Sequence, residues 1–198
     1  MIFRVGITGG IGCGKSYVAR LIERRGFPVY DCDSRAKMLM DSDPLLASQL
    51  EQLTGLTLYA EGHLDRALLA SFLFDGPENA ARINALVHPR VRDDFRVWCS
   101  EQDSPICFIE SAILYESGFD SETDAIVTVD APLQLRLERA VKRDSSTEQK
   151  IRSRMDAQMA QEEKVSRADF IIVNDNERDL QSQIDSMLSR MVRIILNR

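Results

Sequence analysis

The stretch GITGGIGCGKSYVARLIERRG runs from Gly6 to Gly26 and decides how the rest of the chain is read. Five of the ten residues from Val5 to Gly14 are glycine. Glycine at that density weakens regular structure, so the bare backbone itself is what the stretch supplies. Upstream, Phe3–Thr8 (FRVGIT) is a short apolar, β-branched run with the character of a buried strand. Downstream, Val18, Leu21 and Ile22 recur at helical spacing until Gly26 stops the pattern. A strand, a glycine-rich turn and a helix beginning near Lys15 follow in that order. Gly9 to Ser16 satisfies G-x-x-x-x-G-K-[ST], in which successive backbone N–H groups and a helix N-terminus converge on a phosphate. A chance Lys-Ser after a glycine turn is the plainer reading, but the flanking strand and helix favour phosphate. No register of the stretch supplies the G-x-G-x-x-G of a dinucleotide site.

Working outward, 198 residues suit one domain, or one domain with a small insertion. No apolar run reaches the ~20 residues that span a bilayer, and the first residues lack a secretory pattern. Cys13, Cys32, Cys99 and Cys107 form no C-x-x-C pair, which points away from a zinc or disulfide framework. A cytoplasmic setting without a membrane partner is expected. The net charge of -6 and the lack of a basic tail disfavour nucleic acid.

Four further strands are expected at Pro28–Asp33, Pro105–Glu110, Asp124–Asp130 and Ala168–Asn174. Between Ser34 and about Asp103 the spacing is helical, with one stripe at Leu64, Leu68 and Phe72. Another stripe, Val91, Phe95 and Trp98, predicts a helix starting just after Pro89. Pro132 opens a helix through about Arg143, and the last helix carries Leu180, Ile184, Leu188, Met191 and Ile195. The polar segment from Ser145 to Glu163 reads as an exposed, loosely anchored pair of helices with a weak stripe at Ile151, Met155 and Met159. The pattern predicts an α/β chain of the three-layer P-loop NTPase fold. A five-stranded parallel sheet is flanked by helices, with a helical insert at about 34–103, to which the family resemblance given below assigns substrate binding, and a helical lid at about 139–167. Ligands of such sheets sit beyond the carboxyl ends of the strands, where Asp31, Asp33, Glu110 and Asn174 fall.

The loop predicts binding of a nucleoside triphosphate. Gly10, Ile11, Gly12, Cys13, Gly14, Lys15, Ser16 and Tyr17 form the cradle, Lys15 reaches the terminal phosphates, and the Ser16 hydroxyl takes a place on Mg2+. A guanine-reading Asn-Lys-x-Asp is missing, because Asp175 rather than Lys follows Asn174. The length and the helical insert suit a small kinase. Arg136, Arg139, Lys142 and Arg143 concentrate positive charge late in the chain. A solvated face is the default reading of such a run. A lid that meets the charge on a transferring phosphoryl group is the functional one, and Arg139 and Arg143 lie four apart for it. Asp33 is the candidate general base. Asp31 either supports the metal or caps the following helix, and Glu110 either orients the metal or is a strand-end charge.

Over nearly its whole length, in order, the chain resembles the dephospho-CoA kinase family. The resemblance is carried by GITGGIGCGKS, DCDSRAK (Asp31–Lys37), GHLDRALLASFLF (Gly62–Phe74) and INALVHPRV (Ile83–Val91). It continues through ESAILYESG (Glu110–Gly118), RAVKRD (Arg139–Asp144), QMAQEEK (Gln158–Lys164) and ADFIIVN. It implies ATP-dependent phosphorylation of the ribose 3′-hydroxyl of dephospho-CoA, the last step of coenzyme A synthesis, with ATP and Mg2+. It further implies that Asp33 is the base, that Arg139 and Arg143 act from the lid beside the catalytic Lys15 of the loop, and that Asn174 lies near adenine. His88, Leu114, Glu116 and Gly118 would line the acceptor side, in a monomer or weak homo-oligomer. Departures are Tyr17 for Thr, Cys32 for Ala, Lys37 for Arg, Ser111-Ala112 for a hydrophobic-Pro pair, and Tyr115 for Phe. They bear on the acceptor pocket's shape, not on the reaction. Alternatives are another small-molecule or nucleotide kinase of this fold, or an ATP-sensing module.

Overall fold

The computed structural model describes residues 2–76 and 78–197. Met1 and Arg198, the ends of the predicted domain, and Pro77, within the predicted insert, lie outside the described residues. The described residues fall into two compact units. Residues 2–30 with 102–197 form the first, and residues 31–101 form the second.

The first unit holds a five-stranded parallel sheet. Its strands are β1 (Phe3–Thr8), β2 (Val29–Asp31), β5 (Ile106–Glu110), β6 (Ala125–Asp130) and β7 (Phe170–Val173), in the order β2-β5-β1-β6-β7. β1 lies at the centre, with Ile7 opposite Glu110 of β5 and Thr8 opposite Thr128 of β6. Because the strands are parallel, Thr8, Glu110, Asp130 and Val173 all end at one edge of the sheet. All five residues of β5 are buried, as expected of a strand covered on both faces. Edge strand β7 instead alternates, burying Phe170 and Ile172 and exposing Ile171.

Helix α1 (Lys15–Glu23) packs Val18, Leu21 and Ile22 into this core. Helix α9 (Leu180–Leu196) adds Ile184, Met187, Leu188 and Met191, close to the stripe legible in its sequence. Helices α6 (Leu133–Asp144), α7 (Glu148–Asp156) and α8 (Gln161–Ser166) complete the unit, with a short 3-10 turn at Phe119–Glu122.

The segment expected to be loosely anchored is not. Ile151 of α7 is fully buried with Ile11, Leu137 and Ala140, and Val141 and Met155 pack against them. One apolar side chain per turn was enough, because Ile151 lands on the apolar face of α6.

The second unit contains α2 (Cys32–Ser42), α3 (Pro44–Thr54), α4 (Arg66–Phe74) and α5 (Asn79–Ser100). Three expectations change here. The strand predicted through Asp33 stops at Asp31, because the Asp31 carboxylate accepts from the Asp33 and Ser34 N–H groups and caps α2. The helix predicted to begin just after Pro89 starts well before it, at Asn79, and Pro89 lies inside it. An interior proline costs a helix about 3 kcal/mol. The buried row Ile83, Val87, Val91, Phe95 and Cys99 continues at four-residue spacing across it and holds the helix together. Finally, the unit is not all helical: β3 (Tyr59–Ala60) and β4 (His63–Leu64) pair antiparallel around Glu61 and Gly62, which have φ of 52° and 81°.

Substituting Ile151→Ala tests the anchoring of α7. A buried isoleucine truncated to alanine loses about 2–5 kcal/mol, whereas an exposed one changes stability by less than about 0.5 kcal/mol. Urea unfolding of the variant is expected to fall in the first range.

Candidate active site

The loop between β1 and α1 is held from behind by side chains of the elements that follow it. The Gly10 N–H donates to Gln161 Oε1 at 2.7 Å and the Ile11 N–H to Gln158 Oε1 at 3.3 Å. Arg136 Nε donates to the Ile11 carbonyl at 3.1 Å, and Asn174 Nδ2 to the Cys13 carbonyl at 2.8 Å. Gln161 is itself fixed, since its Nε2 donates to the Val129 carbonyl at 3.1 Å and to Asp130 Oδ1 at 2.9 Å. Two glycines make the arrangement possible. Gly12 has φ of 82°, and a Cβ there would strike the Arg136 backbone carbonyl. Gly14 has φ of 89°, caps α1, and would strike Asn174 Nδ2. Neither position admits an ordinary L side chain.

With Gly10 and Ile11 turned backwards, the N-terminus of α1 remains as the electropositive end of the loop. Lys15 curls over it, with Nζ 3.5 Å from the Gly10 carbonyl. Ser16 Oγ donates to Glu110 Oε2 at 3.2 Å, so the hydroxyl and a buried carboxylate meet where β5 ends beside β1. Cys13 is fully buried in the loop. Burial pushes its thiol up, with Arg136 and Lys15 pulling the other way, so at neutral pH it stays a protonated space-filler.

The remaining first-unit residues singled out from sequence are distributed as follows. Tyr17 is exposed on α1, with the Arg20 guanidinium 5.9 Å from its ring centre. Arg139 donates to the Asn174 carbonyl at 3.0 Å, to Asn174 Oδ1 at 3.4 Å and to Asn176 Oδ1 at 2.6 Å, so it is bound to the segment after β7. Arg143 pairs with Asp144 at 2.7 Å, and Arg154 reaches the same carboxylate. The Arg143 guanidinium holds the Asp144 carboxyl well below its usual range, at about 2. Leu114 is fully buried, with its side chain over Gly6. Glu116 accepts from Lys164 Nζ and from the Met159 N–H, each at 2.8 Å. Burial raises its carboxyl, but these hydrogen bonds outweigh that and leave it lowered overall. Gly118 takes a left-handed conformation, φ 71°, at the start of the 3-10 turn.

Asp33 and His88 belong to the second unit. Asp33 is exposed in the first turn of α2. Ahead of Pro89 in α5, His88 is half-buried, and burial first and then Arg92 lower its pKa from the ordinary 6.5.

A family model described as CoaE, dephospho-CoA kinase, matches residues 3–179. The chain belongs to the dephospho-CoA kinase family. It is 45% identical over 190 residues to the dephospho-CoA kinase of Bacteroides fragilis, covering 96% of this chain and 93% of that one. Among solved structures it is similar to TT1252 from Thermus thermophilus (TM-score 0.81, 32% identity, 97% of each chain). It also resembles the dephospho-CoA kinase from Campylobacter jejuni, with a TM-score of 0.69 and 25% identity over 96% of this chain and 98% of that one.

In this member of the dephospho-CoA kinase family, the loop supports that sequence reasoning missed are Arg136, Gln158 and Gln161. Arg136 reads as one more cation in a charged run, and the two glutamines as polar surface of a lid. The one available signal was position: Arg136 adjoins Leu137 and precedes Ala140 by four, on the stripe that buries α6.

Two measurements check this geometry. Gly12→Ala is expected to weaken MgATP binding by about tenfold or more, from left-handed strain of about 1–2 kcal/mol plus the collision with Arg136; calorimetry on the folded variant reads it. By NMR, the His88 ring is expected to titrate with a midpoint below 6.5 and so to be neutral at pH 7. A midpoint above that value would mean the ring is neither desolvated nor beside a cation.

Proposed function

We propose that the chain transfers the γ-phosphoryl group of ATP to the 3′-hydroxyl of the ribose of dephospho-CoA, giving coenzyme A and ADP. Its membership of the dephospho-CoA kinase family over residues 3–179 is the observation that carries this reading. The loop from Gly10 to Tyr17 is the triphosphate cradle. Gly10 and Ile11 serve as its braced rear wall, and the N–H groups toward the start of α1 face the phosphates. Lys15 compensates charge on the terminal phosphates. Asn174, already bonded to Cys13 and Arg139, lies beside the adenine.

The donor set fits a hard divalent cation. Ser16 and the Glu110 carboxylate offer oxygens 3.2 Å apart, and Mg2+ takes few protein ligands, drawing the rest from phosphates and water. Among the described residues no cluster of three or more His, Cys, Asp or Glu competes as a metal cage. Bound there through Ser16, Mg2+ would offset charge on the phosphate oxygens.

Asp33 takes the proton of the acceptor hydroxyl and orients its oxygen toward the γ-phosphorus; ADP is the leaving group. Arg139 and Arg143 act from a lid of about 139–167, meeting charge on the γ-phosphate and excluding water. His88, Leu114, Glu116 and Gly118 line the acceptor side, and the helical segment of about 34–103 binds the substrate. Residues 1–198 work on this reading as one kinase domain, a monomer or weak homo-oligomer in the cytoplasm. Among the described residues no helix is long and apolar enough to cross a membrane.

Mass spectrometry of a mixture of protein, MgATP and dephospho-CoA tests the reading. Coenzyme A carrying a new 3′-phosphate is expected. Turnover of nucleoside monophosphates or gluconate without dephospho-CoA would replace the assigned acceptor, and ATP binding without any transfer would replace the enzyme by a sensor. Asp33→Asn is expected to lower kcat by about 100-fold or more, the scale of general-base catalysis, while leaving ATP affinity near its original value.

A further inference from the structure

Helix α8 is six residues long and buries two polar side chains, Gln161 and Lys164, three positions apart on one face. Gln161 reaches the phosphate loop, as described above. Lys164 has no exposed side-chain surface. Its Nζ donates to the Ala112 carbonyl at 2.6 Å and to Glu116 Oε1 at 2.8 Å. The same Glu116 oxygen accepts from the Met159 N–H, two residues before α8, and the Lys164 carbonyl accepts from Thr128 Oγ1 at 3.0 Å. One short helix is thus tied at one end to the phosphate loop and at the other to the turn that follows β5.

Stability alone does not call for this arrangement. Burying an ammonium costs several kcal/mol before its bonds are counted, and an apolar side chain of similar volume would hold α8 to the sheet without that cost. What the ammonium adds is direction. It grips two specific oxygens of the turn, one of backbone and one of side chain, and fixes where that turn runs. Nearby, the Arg167 guanidinium stacks 4.1 Å from the Tyr115 ring centre, so both α8 and the residue after it hold the same turn.

We propose that Lys164 is a positioning residue for the phosphoryl acceptor. By pinning the Ala112 carbonyl and the Glu116 carboxylate it sets the turn from Ala112 to Gly118, and through Gln161 on the same helix it ties that turn to the phosphate loop. This rests on the acceptor role given above to the turn. It assigns Lys164 no contact with substrate; the residue acts through Glu116 and the backbone.

The test compares KM for dephospho-CoA, KM for ATP, kcat and melting temperature across wild type, Lys164→Met, Glu116→Gln, the double variant and Gln161→Leu. Lys164→Met is expected to raise KM for dephospho-CoA by about tenfold or more, the scale of a misplaced binding element, with KM for ATP within about twofold. Gln161→Leu is expected to do the reverse. In the Glu116→Gln background the added Lys164→Met should raise the acceptor KM by less than about threefold, because the partner it acts through is already altered. Equal effects of Lys164→Met in both backgrounds, or both KM values moving together with melting temperature, would overturn the proposal and leave Lys164 a packing residue. If Lys164→Met is insoluble, Lys164→Arg, which keeps the charge but replaces the compact ammonium with a planar guanidinium, carries the same comparison. Failure of the wild-type protein to phosphorylate dephospho-CoA would instead remove the acceptor assignment, and this inference with it.

Discussion

A phosphate loop works only if its backbone amides face the ligand and stay there, and that is a problem of support. In this chain the support is a set of side chains behind the loop: Gln161 on Gly10, Gln158 and Arg136 on Ile11, Asn174 on Cys13. Each satisfies a backbone group that would otherwise be free to rotate, and each comes from an element placed by the parallel sheet. Preorganised dipoles need no rearrangement when charge develops, which is why such a loop assists phosphoryl transfer rather than merely binding phosphate. The glycines follow from the supports. Gly12 and Gly14 lie so close to Arg136 and Asn174 that a side chain would displace one or the other.

The sheet order explains how supports so distant in sequence converge. β1 lies between β5 and β6, and these strands run parallel with β7, so the residues that end or follow β5, β6 and β7 gather around the loop. Glu110 meets Ser16 from one neighbour of β1, and Asp130 positions Gln161 from the other. Asn174 follows β7 and carries both Cys13 and Arg139. The segment from α6 to α8 therefore serves two purposes. Its inner face braces the loop through Arg136, Gln158 and Gln161, while its outer face presents Arg143 and Arg154 around Asp144.

Buried polar groups in the first unit follow one logic. Gln161 and Lys164 are among its most enclosed polar side chains, and each makes several bonds. Left unpaired, either would cost more than a comparable apolar residue, so each fixes the geometry of what it touches. Cys13 illustrates the contrast: enclosed beside the same Gln161, it is held neutral by burial and fills space.

The five strands, the glycine-rich loop and the family were all legible in the sequence, because each depends on local pattern: β-branched runs, a fixed glycine-lysine-serine spacing, helical periodicity. Glu110 and Asn174 were also legible, since a parallel sheet places strand ends together whatever the details. The bounds of β2 and α5 were not: a capping carboxylate on Asp31 and a buried row running past Pro89 overrode the local signals. Nor was the role of α6 to α8. A polar helix in sequence looks the same whether its arginine and glutamines meet water or a backbone amide, and the weak stripe at Ile151 gave no measure of how completely it would be enclosed. Sequence alone determined that a glycine-rich loop ending in lysine and serine joins β1 to α1, since that rests on residue types at short range. Only the tertiary structure decided which side chains hold the loop rigid, since their partners lie 125 to 161 residues away and burial, not spacing, selects them.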